Sequence, residues 1–259
     1  MDLGLTGKRA LVLGSSRGLG LASARALAAE GAVVTLCGRD PARLDAAAAS
    51  LAATGASVST LRLDLADRAG LEAALDGLGD TSFDILVNNG GGPAPGPVAE
   101  VDAARWSREF EAMVAALFLV TGRLLPAMRA NRWGRVITIA SSGVVQPIPN
   151  LGVSNALRAA IVGWAKTLAA EVAADGVTVN TVLPGRIDTE RVAELDAAAA
   201  KRTGREAAVV TEESRKTIPM GRYGDPDEFG AMVAFLASTR ASYTTGALIR
   251  VDGGLIRAI

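Results

Sequence analysis

Short apolar runs alternate with helical segments along almost the whole chain, and this alternation restricts the fold more than any other feature. Strands separated by helices form parallel sheets with right-handed crossovers. The chain is therefore predicted to be α/β, a doubly wound parallel sheet of seven strands with helices on both faces. The predicted strands are 9–13, 33–37, 58–63, 85–88, 135–140, 177–183 and 248–251.

The helical segments fit one Rossmann-type domain covering residues 1–259. Periodic patterns, caps and glycine stops predict helices over 19–30, 41–54, 102–131 and 154–174. A further stretch, 190–220, is Ala-rich, charged and helical in pattern, yet it lies outside the strand series. An insertion beside the carboxyl ends of parallel strands often covers a ligand, so we expect a substrate lid there.

Composition excludes several classes of function. The 27 basic and 27 acidic residues cancel, which argues against a nucleic-acid or membrane partner. No apolar run reaches the length that a bilayer requires, and the N-terminal residues do not resemble a signal peptide. Histidine is absent and Cys37 is the single cysteine, so we expect no metal site and a reducing, cytoplasmic location.

A glycine-rich turn follows the first predicted strand. Its sequence is Gly14-Ser15-Ser16-Arg17-Gly18-Leu19-Gly20, and a helix begins at once. Gly14 permits a tight exit from the strand, Gly18 permits close approach of backbone to a pyrophosphate, and Gly20 permits close helix packing. The free N–H groups of the helix N-terminus favour phosphate. The turn therefore indicates a dinucleotide site.

Four further motifs occur in order along the chain: Asp64 after the third strand, Asn88-Asn89-Gly90-Gly91, Pro184-Gly185-Arg186-Ile187-Asp188-Thr189, and Val251-Asp252-Gly253-Gly254. Together with the G-x3-G-x-G turn, they resemble the short-chain dehydrogenase/reductase family, in particular its 3-oxoacyl-ACP-reductase-like members. The resemblance covers essentially the whole chain. It implies a Rossmann fold, NAD(P) binding, a small-molecule substrate and a homo-oligomer, either a tetramer or a dimer.

The resemblance also implies a set of cofactor-binding residues. They are Gly14, Ser16, Arg17, Gly18, Leu19, Gly20, Arg39, Asp64, Leu65, Asn89, Gly90, Arg158, Pro184, Gly185, Ile187 and Thr189.

Charge at the end of the second strand favours NADP(H) over NAD(H). The strand ends Leu36-Cys37-Gly38-Arg39 without an acid, and Arg39 with Arg17 could flank a 2′-phosphate. Asp40 leaves NAD(H) open, because a shift of one residue would bring its carboxylate to the ribose. The same residue also suits a helix N-cap.

The catalytic positions depart from the family. The family uses an Asn–Ser–Tyr–Lys set, in which Tyr is the general acid or base and Lys lowers its pKa. By resemblance Ser141 matches the catalytic Ser, whereas Ser154 replaces Tyr and Arg158 replaces Lys. Met113 stands at the Asn position. A Ser hydroxyl is much less acidic than a phenol, and Arg stays protonated, so neither residue can take over the proton transfer unchanged.

Three functions remain open at this point. The first is a divergent NADP(H)-dependent oxidoreductase acting on a carbonyl or alcohol, with Ser141, Ser154 and Arg158 as its catalytic residues. The second is a catalytically silent NADP(H)-binding sensor or oligomer partner, and the third is a non-redox lyase or isomerase. Ser141 is either a substrate contact or a structural hydroxyl, and Arg158 with Arg186 could clamp an anionic group. The substrate pocket is expected from 92–97, 144–153 and 190–220.

Overall fold

Seven strands form one parallel sheet in the computed structural model, which describes residues 1–259. This confirms the predicted fold, and every predicted strand is present within about a residue. The strands are β1 (Arg9–Val12), β2 (Val33–Gly38), β3 (Val58–Arg62), β4 (Ile85–Asn88), β5 (Gly134–Ile139), β6 (Val177–Pro184) and β7 (Leu248–Val251).

The strand order creates a crevice at one edge of the sheet. The order is β3-β2-β1-β4-β5-β6-β7, so the chain reverses its direction of winding between β1 and β4. Loops leaving β1 and β4 diverge to opposite faces at such a switch point, and ligands of open α/β sheets bind in the resulting space. The glycine-rich turn follows β1 and Asn89 follows β4. Both motifs therefore lie at this crevice.

Helices cover both faces of the sheet, and local capping fixes several of their starts. The helices are α1 (Gly18–Ala29), α2 (Pro41–Ala52), α3 (Arg68–Asp76), α4 (Ala103–Phe110), α5 (Ala116–Ala130), α6 (Gly152–Val172), α7 (Glu190–Thr203), α8 (Ala207–Lys216) and α9 (Pro226–Ala237). The Asp40 carboxylate accepts the Arg43 amide at 3.2 Å, which confirms Asp40 as the N-cap of α2. The sequence did not predict α3 or α9.

The predicted single helix over 102–131 is interrupted. A π turn over Glu111–Ala115 separates α4 from α5, and it carries Met113 into the core. The combined stretch Ala103–Ala130 is long and apolar enough to span a bilayer by length and composition, which corrects the sequence expectation. Val114 and Val120 are fully buried in the core beneath the sheet, so packing inside the protein accounts for this apolar composition.

Two apolar clusters fill the faces of the sheet. One contains 25 buried residues, including Leu11, Leu86 and Leu157, and the other contains 23, including Val12 and Phe229. Neighbouring residues of β1 enter opposite clusters because side chains alternate along a strand. Burial on both faces explains why the strands read as continuous apolar runs.

The segment 190–220 forms two helices beside the crevice. Gly204 ends α7 with a left-handed backbone (φ 65°), and α8 then begins three residues later. Only a small cluster of three buried residues, Val192, Ile218 and Tyr223, lies beneath these helices. Polar contacts therefore contribute most of the packing that holds α7 and α8 against the rest of the protein.

Candidate functional site

A single cleft of about 1000 Å³ opens at the carboxyl ends of the strands. It brings together all the residues predicted for the cofactor and catalytic sites except Gly20, which lies behind the turn. The predicted pocket walls contribute Gly92, residues 146–149 with Leu151, and one side of α7 and α8. Leu255 and Ile256 also line the cleft, and no local pattern predicted that the C-terminal segment would return to it.

The glycine-rich turn leaves no room for side chains. Gly14 has a positive φ of 56°, and a Cβ there would lie 2.9 Å from Asn89 Nδ2. A Cβ on Gly20 would lie 2.3 Å from the Gly14 carbonyl oxygen. Asn89 Nδ2 donates to the carbonyls of Leu13 (3.2 Å) and Gly14 (3.0 Å), which fixes the turn against the loop after β4. A backbone cradle of this kind fits the phosphates of a dinucleotide.

The rim near β2 carries positive charge and no facing acid. Arg39 is exposed at the rim and makes no ion pair. The Asp40 carboxylate caps α2 and does not line the cleft. Asp64, farther along the wall, accepts the Ala66 amide at 3.0 Å. The second strand therefore presents a cation where a 2′-phosphate would bind.

Arg17 is engaged in a way the sequence did not reveal. Its guanidinium forms an ion pair with Glu190 and a longer contact with Glu194 at 3.4 Å, both on α7. Glu190 also lies 3.5 Å from Arg43. The hydrogen bond from Arg17 lowers the pKa of the Glu190 carboxyl, and the same bond raises the pKa of Arg17. Glu190 and Glu194 of α7 therefore form ion pairs with Arg17, the residue that we predicted to flank the 2′-phosphate.

The motifs around Gly185 and Asp252 form one structural unit. A Cβ on Gly185 would lie 2.7 Å from the Asp252 backbone, so the loop after β6 packs directly on the segment after β7. Thr189 Oγ1 accepts the Val192 amide at 3.4 Å and caps α7. This packing orients Pro184, Ile187 and the start of α7 toward the cleft.

Ser141 and Ser154 meet the cleft from adjacent elements. Ser141 follows β5, and its Oγ accepts the Gly143 amide at 3.0 Å. Gly143 lies so close to Asn155 that a Cβ would be 2.4 Å from Asn155 Oδ1. The turn after β5 is therefore packed against the first turn of α6, beside Ser154. Ser141 caps this turn and also lines the cleft, so its structural role does not remove it from the site.

Arg158 lies one helical turn beyond Ser154. Its Nε donates to Ser154 Oγ at 3.3 Å and its Nη1 donates to the Ile139 carbonyl at 2.9 Å. No carboxylate lies within ion-pair distance of this guanidinium. Burial, and secondarily the charge of Arg191, lowers the pKa of Arg158 to about 10. Arg158 is consequently a cation supported only by neutral groups.

The usual proton donor is missing from the structure as well as from the sequence. Met113 is 7% exposed and belongs to the core, not to the cleft. Tyr223 is buried against Asp196, with its hydroxyl donating at 2.6 Å, and Tyr243 is fully exposed on the surface. Neither tyrosine lines the cleft, and the lining includes no Lys. No metal-binding cluster of His, Cys, Asp and Glu is present either.

The suggested clamp of Arg158 with Arg186 stays a prediction, because both residues line the cleft but Arg186 is already ion-paired. Arg186 Nη1 donates to the buried Asp196 carboxylate at 2.8 Å, so its charge is compensated. Arg191 also lines the cleft. Its Nη2 donates to the Pro93 carbonyl at 2.9 Å, which carries the side chain from α7 across to the loop after β4. A contact between residues 98 positions apart leaves no local pattern in the sequence.

Comparison with known proteins identifies the family. The model for "Enoyl-(Acyl carrier protein) reductase", a family of short-chain dehydrogenases, matches residues 14–256. The 3-oxoacyl-(acyl-carrier-protein) reductase FabG of Aquifex aeolicus is 34% identical over 98% of this chain and 100% of its own length. The chain belongs to the short-chain dehydrogenase/reductase family.

Other members of this short-chain family support the same placement. FabG of Escherichia coli K12 is 36% identical, over 96% of this chain and 97% of its own. The crystal structure of L-sorbose reductase from Gluconobacter frateurii, complexed with NADPH and L-sorbose, matches with a TM-score of 0.93 and 34% identity, covering 100% of both chains. The predicted resemblance to the family is thereby confirmed. The replacements at 113, 154 and 158 stay a prediction from the sequence.

Proposed function

We propose that this protein is an NADP(H)-dependent oxidoreductase that interconverts a carbonyl and an alcohol. One observation carries the proposal: a single cleft joins the glycine cradle to the Ser141, Ser154 and Arg158 side chains. The similarity to FabG proteins and to a reductase solved with NADPH supports both the reaction class and the cofactor. A sensor that binds the cofactor without chemistry would not require the two serine hydroxyls in the lining of this cleft.

The residues of the cleft suit a dinucleotide along its length. The backbone of the glycine turn would hold the pyrophosphate, and Arg17 with Arg39 would contact a 2′-phosphate. Asp64 and Leu65 would lie at the adenine, and the segment Pro184–Thr189 would lie against the nicotinamide. In this arrangement NADPH, when bound, supplies the hydride that reaches the carbonyl carbon.

Ser141 and Ser154 would polarise the carbonyl oxygen. Each hydroxyl already accepts one hydrogen bond, from Gly143 N and Arg158 Nε respectively, so its own hydrogen is free to be donated. Arg158 remains protonated at neutral pH even with its pKa lowered to about 10. It stabilises negative charge that develops on the oxygen beside Ser154. Water in the open cleft is the proton source that we propose for the alcohol.

We further propose that α7 and α8 act as a substrate lid on a single domain spanning the whole chain. Residues of both helices line the cleft, among them Leu195 and Val210. A homo-oligomer, dimer or tetramer, and a cytoplasmic location are implied by the family and stay predictions. Light scattering of the purified protein tests the first of these.

Calorimetric titration with NADPH and with NADH is the primary test. We expect micromolar binding of NADPH and weaker binding of NADH, because the rim near β2 offers Arg39 and no acid. Failure of both nucleotides to bind would overturn the proposal. Equal affinity would retain the oxidoreductase and reject the preference for NADP(H).

Turnover separates the oxidoreductase from the two alternatives. NADPH oxidation is followed with a panel of aldehydes, ketones and oxo acids, for the wild type and for Ser141→Ala. Loss of one oxyanion donor typically costs about 10²-fold to 10³-fold in rate. A sensor would bind NADPH without turnover of any carbonyl, and a lyase or isomerase would form product without a change in NADPH absorbance.

A further inference from the structure

The wall of the cleft around Ser154 contains an uncompensated positive charge. The Arg158 guanidinium uses Nε and Nη1 on Ser154 Oγ and the Ile139 carbonyl, and Nη2 makes no hydrogen bond within the chain. An enclosed charge without a counter-ion is costly, and proteins usually pair such groups. Arg158 has no counter-ion and has a free Nη2 donor in the cleft wall. It is therefore suited to bind a ligand that carries a negative charge.

Arg191 supplies a second cation to the same cleft. The hydrogen bond to the Pro93 carbonyl holds its guanidinium between α7 and the loop after β4. Its only acidic contact is Glu194 at 3.4 Å on the rim, and Glu194 also contacts Arg17. Arg158 and Arg191 line the same cleft, and Arg191 Nη2 would lie 3.3 Å from a Cβ on Gly92 in the loop after β4. In agreement with this placement, the charge of Arg191 contributes to the lowered pKa of Arg158.

The acids around this part of the cleft are engaged elsewhere. Asp196 is paired with Arg186 at 2.8 Å, and Glu213 is paired with Arg205. Glu190, which precedes Arg191 at the start of α7, is paired with Arg17 and Arg43. The potential beside Ser141 and Ser154 is therefore positive. The lining also includes the apolar side chains of Ile148, Leu195, Val210, Leu255 and Ile256.

We propose that Arg158 and Arg191 together bind a carboxylate of the substrate, so that this enzyme acts on oxo acids and hydroxy acids carrying an apolar chain. The inference rests on the proposed function and specifies its substrate class. A planar carboxylate matches the donor fork of arginine, and two guanidinium groups would fix the carbonyl relative to the two serine hydroxyls. Arg191 is a specificity-determining residue in this arrangement, because it belongs to α7 and contacts no reacting atom.

The test uses a probe that cannot react. The full-length protein, with and without saturating NADP⁺, is titrated calorimetrically with malonate and with malonamide, its neutral analogue of similar size. We compare the wild type with Arg191→Gln and with the matched control Arg202→Gln, which removes an exposed arginine from the same helix outside the cleft. Malonate is expected to bind the wild type at least about tenfold more tightly than malonamide, as expected for charge-assisted hydrogen bonds.

Comparison of Arg191→Gln with Arg202→Gln distinguishes binding at a specific carboxylate site from a general effect of the protein's net charge. Arg191→Gln should lose most of the preference for malonate, whereas Arg202→Gln should retain it. Equal binding of malonate and malonamide, or an equal loss in both variants, would overturn the proposal. Displacement of malonate by NADP⁺ would also overturn it, since the two arginines would then serve the cofactor. Failure of NADP⁺ itself to bind would refute the proposed function, while the titrations of nucleotide-free protein would still report on the carboxylate site.

Discussion

Ser154 and Arg158 form a hydrogen-bonded pair on one face of α6, at the positions that we predicted to match the family's Tyr and Lys. Both the spacing and the contact survive the replacement, because residues four apart share a helix face. What changes is the proton chemistry. A phenol near a cation can donate a proton close to neutral pH, whereas a serine hydroxyl polarises without transferring. The slow step in this enzyme is therefore expected to be protonation of the alkoxide.

The double variant Ser154→Tyr with Arg158→Lys tests that expectation. A phenol at 154 would project into the cleft, and Lys four residues later would lower its pKa, so carbonyl reduction should rise roughly a hundredfold. The rate of NADPH oxidation at saturating substrate is the measurement. Arg158→Lys alone is the control and should lower the rate, since an ammonium cannot hold Ser154 and the Ile139 carbonyl in the same geometry. An unchanged rate in the double variant would mean that proton supply is not limiting.

At the scale of elements, the tight join between β1 and α1 determines whether a nucleotide can bind. Gly20→Ala would bring a Cβ within 2.3 Å of the Gly14 carbonyl oxygen and 2.8 Å of Asn89 Nδ2. Both groups belong to the cradle itself, so we expect NADPH binding to be lost. Destabilisation by about 1–3 kcal/mol should accompany it, as for other overpacked sites.

Gly163→Ala is the matched control for that prediction. Gly163 lies inside α6 with nothing within 4 Å of its would-be Cβ, so alanine should stabilise the fold by about 0.5–1 kcal/mol and leave binding intact. Chemical denaturation gives the free energy of unfolding and calorimetry gives the affinity. Retained NADPH binding in Gly20→Ala would refute the role assigned to the turn.

A second element-scale contact links α7 to the glycine turn. Glu190 and Glu194 compete with a 2′-phosphate for Arg17, so Glu190→Gln should raise NADPH affinity about twofold to fivefold, in line with an exposed ion pair. NADH affinity should not change. Because Arg17 lowers the pKa of Glu190, the ion pair persists at neutral pH and is lost only as the pH falls through that lowered pKa.

The control for the charge change is Glu212→Gln, an exposed and unpaired acid on α8. Its NADPH affinity should match the wild type, and the gain in Glu190→Gln should shrink at high salt because exposed charges are screened. Tighter NADH binding in Glu190→Gln, equal to the gain for NADPH, would show that the 2′-phosphate is not the competing group.

At the scale of the whole molecule, the sheet and the cradle were predictable, and the reasons are physical. Parallel strands that are buried on both faces appear in the sequence as apolar runs. A glycine-rich turn between a strand and a helix is typical of a dinucleotide-binding site. The helix α3 was missed because it is only nine residues long and its apolar stripe has just two buried members, Leu71 and Leu75. The helix α9 was missed because it is apolar on most sides. Arg191 was missed since its contact with Pro93 depends on how distant loops meet. The π turn that buries Met113 likewise depends on packing.

Stability is also unevenly distributed over the molecule. The sheet lies between two large apolar clusters, while α7 and α8 rest on three buried residues and on Asp196. The Asp196 carboxylate binds Arg186, Tyr223 (2.6 Å) and Thr211 (3.2 Å), which connects α7 to α8 and to the loop after β6. Segments with few buried contacts open locally at lower free energy than the core. The α7–α8 segment should therefore open while the sheet stays folded.

Hydrogen exchange measured by mass spectrometry tests this coupling directly. Amides of 190–216 should exchange faster than those of β5, and Asp196→Asn should accelerate exchange in 190–216 further, because it removes the charge that compensates Arg186. Exchange in β5 should stay the same, since the core clusters are untouched. Saturating NADPH should slow exchange at the glycine turn in both proteins. If Asp196→Asn instead accelerated hydrogen exchange equally in β5 and α7, the two elements would unfold as one unit. That result would refute the hypothesis that the α7–α8 segment moves independently of the sheet.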